Sequence, residues 1–360
     1  MSSLEVRLLP DISIDDDAVA CKWEALVTSN PASGIMQSLP WAEVKRRQGL
    51  SSFHLGVYQD NEMIGGALFY TASKRNGAAI LVAPEGPVLP WNDDILARKS
   101  LGLIIDEVER QSRSLGIITL RIEPRLPPPS PSILHEFGRA PVDLVPSETL
   151  VIDISQPPEA ILASMKPKGR YNIGLAQRAD VEVVSDCSET AVNRFHSIML
   201  EASARDGFEV EPLQFFEHLA SVLVPSGHAK FLFAEHNGET LGTLLLMTYG
   251  RRATYLYGGI TNRKRNVMSG YALQWAAMNA ARNAGCSEYD LYGFDASGAP
   301  QHRYSRFSQF KSRFGGTVER YIGAQDYFFL DNLSDAFVKI VGETRMTEQE
   351  LASCARIGSF

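Results

Sequence analysis

FLFAEHNGETLGTLLLMTYGRRATYLYGGI, residues 231–260, consists of three apolar runs separated by two short polar turns. Asn237-Gly238 is a strong hairpin signal, because a two-residue type I′ turn needs positive φ at both central positions. Gly250-Arg251-Arg252 marks the second turn. The segment therefore predicts a three-stranded antiparallel meander. Downstream, SGYALQWAAMNAARNAG (269–285) has apolar residues at helical spacing and stops at Gly285, as a helix end should. SEYDLYGFD (287–295) reads as the next strand, and 213–224 reads as a helix ahead of the meander.

The same order occurs once before. His54 to Tyr58 alternates, QDNE turns, and MIGGALFYTAS (63–73) is a second strand. KRNG (74–77) turns again and AAILVAPEGPVL (78–89) is a third. DDILARKSLGLIIDEVERQSRSLG (93–116) is a helix, IITLRIEP (117–124) a strand, and 39–48 a helix in front. The order α, β-β-β, α, β thus appears twice, which predicts two similar α+β units with mixed sheets. We expect a first domain over 1–150 and a second over 151–323. The segment 324–360, including the amphipathic LSDAFVKIVGETR, is too short to fold alone and is expected to complete the first.

The formal net charge is −7, from 35 Lys+Arg and 42 Asp+Glu, which argues against a generally basic nucleic-acid coat. Cys21, Cys187, Cys286 and Cys354 stand far apart, with no metal-ligand spacing, so neither a metal nor a disulfide is expected. The acidic start, with Asp15, Asp16 and Asp17, is unlike a secretory signal. No apolar run approaches the roughly 20 residues needed to span a bilayer. We expect a cytoplasmic chain without an integral membrane segment.

The doubled β-β-β-α-β order resembles the GCN5-related N-acyltransferase (GNAT) arrangement, which implies two tandem GNAT-like domains. In such enzymes a Gln/Arg-x-x-Gly-x-Gly/Ala loop at a helix start holds the pyrophosphate of coenzyme A. Here the matching stretch is Val267-Met-Ser-Gly270-Tyr-Ala272, with an apolar first position. In the first half Asp93 and Asp94 would repel a phosphate. No cofactor is expected.

Several stretches, in order, resemble the FemABX family of aminoacyl-tRNA-dependent peptidyltransferases. They are Met36-Gln-Ser-Leu-Pro-Trp-Ala-Glu-Val-Lys45, Pro84-Glu-Gly-Pro-Val88, Lys168-Gly-Arg-Tyr-Asn-Ile-Gly-Leu-Ala176 and Arg205-Asp-Gly-Phe208. Tyr255-Leu-Tyr-Gly-Gly259, Tyr289-Asp-Leu-Tyr-Gly-Phe294 and Phe307-Ser-Gln-Phe-Lys-Ser-Arg-Phe-Gly-Gly316 complete the set. The resemblance implies transfer of an amino acid from aminoacyl-tRNA to an amine of a peptidoglycan precursor, by direct aminolysis. The acceptor would be a UDP-MurNAc-peptide or a lipid-linked precursor, the latter met at the inner membrane surface. A monomer is expected. Acyl-coenzyme A transfer to a small amine, and tRNA-dependent synthesis of a peptide natural product, remain open alternatives.

An activated ester needs no covalent enzyme intermediate; proximity and positive charge near the developing oxyanion suffice. The second half carries local cations for phosphate-bearing substrates: Lys166, Lys168, Arg170 and Arg178; Arg263, Lys264 and Arg265; Arg303, Arg306, Lys311 and Arg313. The resemblance implies that Lys45 and Arg205 hold acceptor phosphates, that Tyr257 and Phe310 contact substrate, and that Lys311 is catalytic. Each has a plainer reading. Lys45 stands beside Arg46 and Arg47 on a helix; Arg205 precedes Asp206, an ion-pair partner. Tyr257 fits core packing, and Lys311 fits a lysine snorkelling off an aromatic turn. Asp290 reads as a turn cap, and Gly258-Gly259 as a bulge or close approach.

Overall fold

A computed structural model describes residues 3–9, 18–73, 79–115, 117–299, 302 and 304–329. The amphipathic segment 333–345, the turn at 74–77, Asp15 to Asp17, Arg303 and Cys354 lie outside the described residues. The chain divides into two compact units, with borders after Ser147 and after Glu319.

The first unit contains β1 (Leu4–Leu8), α1 (Ala18–Ser29), α2 (Leu39–Arg47), β2 (Ser52–Gln59), β3 (Glu62–Ser73), β4 (Ala79–Pro84), α3 (Asp94–Leu115), β5 (Ile117–Glu123) and β6 (Gly138–Arg139). The second opens with β7 (Glu148–Asp153), α4 (Pro158–Ser164), α5 (Pro167–Arg178), β8 (Glu182–Asp186), α6 (Glu189–Asp206) and α7 (Leu213–Leu223). It continues with β9 (Ala229–His236), β10 (Glu239–Tyr249), β11 (Arg252–Ile260), α8 (Ser269–Asn283), β12 (Glu288–Asp290), α9 (Ser305–Lys311) and β13 (Thr317–Arg320). β14 (Gln325–Phe328) returns to the first unit's sheet.

Among the described residues both sheets have seven strands in matching order: β1-β2-β3-β4-β5-β14-β6 and β8-β9-β10-β11-β12-β7-β13. In each, the meander pairs antiparallel and its last strand runs parallel to the strand after the crossover helix. The sixth place is filled differently. In the second sheet it is the unit's leading strand, and in the first it is β14, from far downstream. That return is locked by charge. Arg121 on β5 makes a bidentate pair with Asp326 on β14, Nε–Oδ1 and Nη2–Oδ2 both 2.7 Å, with both side chains buried.

The crossover helices bury one face each, at the spacing the sequence predicts. α3 packs Ala97, Leu101, Ile104 and Val108 against the first sheet; α8 packs Leu273, Ala277, Met278 and Ala281 against the second. Each large aliphatic side chain so buried contributes roughly 1.5–3 kcal/mol.

One difference between the units positions the site. β4 and β5 stay paired from Ala79 to Pro84 against Ile117 to Glu123. β11 and β12 pair only at Arg252–Thr254 against Glu288–Asp290. The strand expected over 287–295 ends early because Asp290 Oδ1 accepts from the Tyr292 N–H (2.7 Å), while Tyr292 and Gly293 take positive φ and turn the chain away. From Tyr255 to Ile260, β11 has no strand partner on that edge among the described residues. The second sheet is therefore splayed where the first is closed.

Candidate active site

The splay holds a cavity of about 280 Å³. Its wall comes from β11 (Tyr255, Gly258, Gly259, Ile260), β10 (Thr243, Leu244) and α8 (Gly270, Leu273, Gln274). The C-terminal end of α6 with the following loop, Arg265 and α9 complete it. Gly258 and Gly259 are required by close approach. A Cβ on Gly258 would lie 2.6 Å from the Tyr255 ring, and one on Gly259 would lie 2.8 Å from the Ala202 methyl.

Three arginines line the same space. α6 stops at Gly207, whose φ of +75° and N–H bond to Ser203 O (2.8 Å) make an αL cap. That cap delivers Arg205, Asp206 and Phe208 together. Arg205 Nε and Nη2 donate to the two Asp206 carboxylate oxygens (2.8 and 2.5 Å), and its Nη1 donates to Ile260 O (2.6 Å). Arg205 thereby holds the Asp206 carboxyl below the usual carboxylate range, with Arg265 and Arg306 adding weaker attraction. Arg306 on α9 donates to Asp206 O (2.8 Å). Aromatic rings stand beside these cations: Phe208 meets Phe307 edge-on at 6.1 Å, and Phe310 meets Tyr271 and Phe314 at 5.1 Å each.

Lys311 ends α9 and is 8 % exposed. Its Nζ donates to the carbonyl oxygens of Tyr292 (2.5 Å) and Gly293 (2.7 Å), the two residues that turn the chain off β12. It stands 5.8 Å from the ring centres of Tyr255 and Tyr304. Burial pulls the lysine down to about 7, against the opposing attraction of Asp290.

Of the residues singled out from the sequence, Arg205 and Phe310 line the cavity, and Lys311 adjoins the wall residue Tyr255. Tyr257 faces elsewhere. It is buried against Phe215 and Phe216, with ring centres 6.0 and 5.1 Å away. The cause is a bulge: Leu245 pairs with Tyr257 and Leu246 with Tyr255, so two tyrosines at i and i+2 fall on opposite faces. The sequence reading places the substrate contact at Tyr257; the cavity tyrosine is Tyr255. Lys45, in the first unit, is fully buried rather than solvated, 5.0 Å from the Trp41 ring centre and donating to Gln48 Oε1 (3.2 Å). Asp290 caps its turn and also accepts from Thr149 and Arg252, as a structural carboxylate does.

Gln274 was not singled out from the sequence, although a signal exists. It is the polar residue within the buried stripe Leu273, Gln274, Ala277, Met278 of α8. No helix among the described residues is long and apolar enough to cross a membrane, and none of their His, Cys, Asp and Glu side chains group as a metal-binding set.

Comparison with known proteins gives the site its context. Residues 21–127 match the FemAB family, and residues 168–306 match the acetyltransferase (GNAT) domain. The chain is 21% identical to a lipid II:glycine glycyltransferase of Staphylococcus saprophyticus, over 84% of this chain and 90% of that protein. It is 24% identical to a UDP-N-acetylmuramoylpentapeptide-lysine N(6)-alanyltransferase of Weissella viridescens, over 82% and 90%. The crystal structure of FemX superposes with a TM-score of 0.81 at 17% identity, covering 93% of this chain and 99% of that one.

Proposed function

The chain belongs to the FemABX family and is an acyltransferase of tandem GNAT-like build, and from that premise we propose that it transfers an amino acid from aminoacyl-tRNA to an amine of a peptidoglycan precursor peptide. The relatives are named for adding glycine and alanine to such precursors, which supports the acceptor class. The observation that carries the donor is the cavity in the splayed second sheet, with arginines and phenylalanines in its lining. Arginines suit phosphates, and aromatic rings suit a terminal adenine.

The chemistry is direct aminolysis. The acceptor amine attacks the ester carbonyl carbon, and the carbonyl π pair moves onto oxygen. The tetrahedral oxyanion then collapses, expelling the ribose oxygen of the tRNA terminus. The proton lost by nitrogen ends on that oxygen, leaving an amide and a free hydroxyl. In this reading Arg265 and Arg306 hold phosphate of the donor, Arg205 holds a phosphate of the acceptor, and Phe307 and Phe310 stack the base. Lys311 places positive charge near the closed end of the splay, where the oxyanion forms.

Ligand-induced stabilisation tests this reading, because a ligand that binds the folded state alone raises Tm. UDP-MurNAc-pentapeptide is expected to raise Tm while acetyl-coenzyme A does not. The reverse pattern would replace the proposal with acyl-coenzyme A transfer.

A further inference from the structure

Tyr289 on β12 donates its hydroxyl to Gln274 Oε1 on α8 at 2.7 Å, and both side chains are buried, Gln274 with 2 % exposure. The amide's other half is different. Gln274 Nε2 has no hydrogen-bond partner among the described residues, and it is not sealed from solvent, since the side chain is part of the cavity wall. An N–H there is left to water until an oxygen in the cavity takes the water's place. Burial pushes the Tyr289 phenol well above its ordinary value, so it keeps its proton and fixes which end of the amide faces the space.

The position of this amide in the splay decides what it meets. Tyr289 pairs with Ala253, inside the closed part of the β11–β12 ladder, and Tyr255 is the first β11 residue in the wall beyond the last pair. Arg205, which holds Ile260 O, marks the far end of β11. At about 3.3 Å per residue the five steps from Tyr255 to Ile260 span roughly 16 Å. A nucleotide held at the arginine end thus leaves its ester at the Gln274 end. Among the neighbouring described wall side chains, Thr243 gives its hydroxyl to Leu232 O (3.1 Å), Tyr255 gives its hydroxyl to Gly258 O (3.5 Å), and Leu244 and Leu273 are apolar.

We propose that Gln274 is a catalytic residue, whose Nε2 amide donates to the ester carbonyl oxygen and to the oxyanion formed when the amine adds. Tyr289 is a positioning residue that aims this amide. The inference rests on the aminoacyl-ester reading above. Gln274 takes no proton; it stabilises the charge placed on oxygen, and its hydrogen bond strengthens as that charge develops.

The test uses the full chain with glycyl-, alanyl- and seryl-tRNA as donors. Gln274→Met keeps the volume and removes the donor. The expected result is a fall in kcat of roughly 10²-fold with donor KM within about twofold, equal for all three donors. Equality is diagnostic, because the carbonyl is common to every donor while glycine has no side chain to read. Tyr289→Phe should lower kcat about fivefold or more at unchanged KM, which a merely structural tyrosine would not do. An unchanged kcat in Gln274→Met, a loss confined to the seryl donor, or a loss expressed only in KM overturns the proposal. Should Gln274→Met fail to fold, Tyr289→Phe decides by the same split. A wild type inert toward every aminoacyl-tRNA overturns the underlying reading along with this one, whereas an active wild type with an indifferent Gln274 overturns this one alone.

Discussion

The Lys311 ammonium lies 5.8 Å from the centre of the Tyr255 ring. Tyr255 is in the cavity wall and Lys311 is not, so the charge is set beside the wall rather than in it. Two of its N–H groups are committed to Tyr292 and Gly293 carbonyls. The lysine therefore fixes the turn that opens the splay, and its field acts on the cavity end next to Tyr255.

Lys311→Ala should lower kcat by roughly 10²-fold with acceptor binding intact. The pH dependence has a definite sign. Burial sets the folded lysine at about 7, below its unfolded value near 10.5, so between these values the unfolded chain binds more protons. Stability of the wild type relative to Lys311→Met should rise as pH rises from about 7 to about 10. Activity that needs the ammonium should fall through the same lower limit, and that alkaline limb should vanish in the variant. Denaturant titrations and kcat profiles across pH measure both.

Gly258→Ala should fold but close the site. The added methyl meets the Tyr255 ring at 2.6 Å and Thr243 O at 3.0 Å, and the ring must give way into the cavity. Donor KM should rise tenfold or more while Tm changes by only a few degrees. Normal donor kinetics would mean that the cavity is not the donor site.

Arg205→Ala removes one arginine from the wall and leaves Asp206 without its bidentate partner. Charge-assisted contacts to phosphate are worth about 1.5–3 kcal/mol, so acceptor KM should rise about tenfold or more with kcat little changed. Steady-state kinetics with varied precursor check this, and an unchanged KM removes Arg205 from phosphate binding.

Asp326→Ala should destabilise the first unit by about 3–5 kcal/mol, because it leaves Arg121 buried and unpaired. The double variant Arg121→Met with Asp326→Leu should recover much of that loss. Chemical denaturation gives the three values.

The local elements were legible because their signals are local. Asn237-Gly238 made the hairpin, and the stripe on α8 made the helix. Long-range pairing was not. Nothing in Gln325–Phe328 says that it will close the first sheet, since the partner of Asp326 is Arg121, 205 positions away. The site was half legible for the same reason. Arg205, Phe310 and Lys311 lie in contiguous stretches, whereas a single bulge exchanged Tyr257 for Tyr255 in the wall. Gln274 acquires its meaning only through Tyr289, on another element.

The central claim is aminoacyl transfer from tRNA to a precursor amine. The most direct measurement incubates the purified protein with UDP-MurNAc-pentapeptide and tRNA charged with a single amino acid, each amino acid in turn, and reads the precursor by mass. The account predicts a product heavier by one aminoacyl residue, abolished when the tRNA is digested beforehand and not formed from acetyl-coenzyme A. An unmodified precursor with every charged tRNA, or an acetylated one with acetyl-coenzyme A, would contradict it.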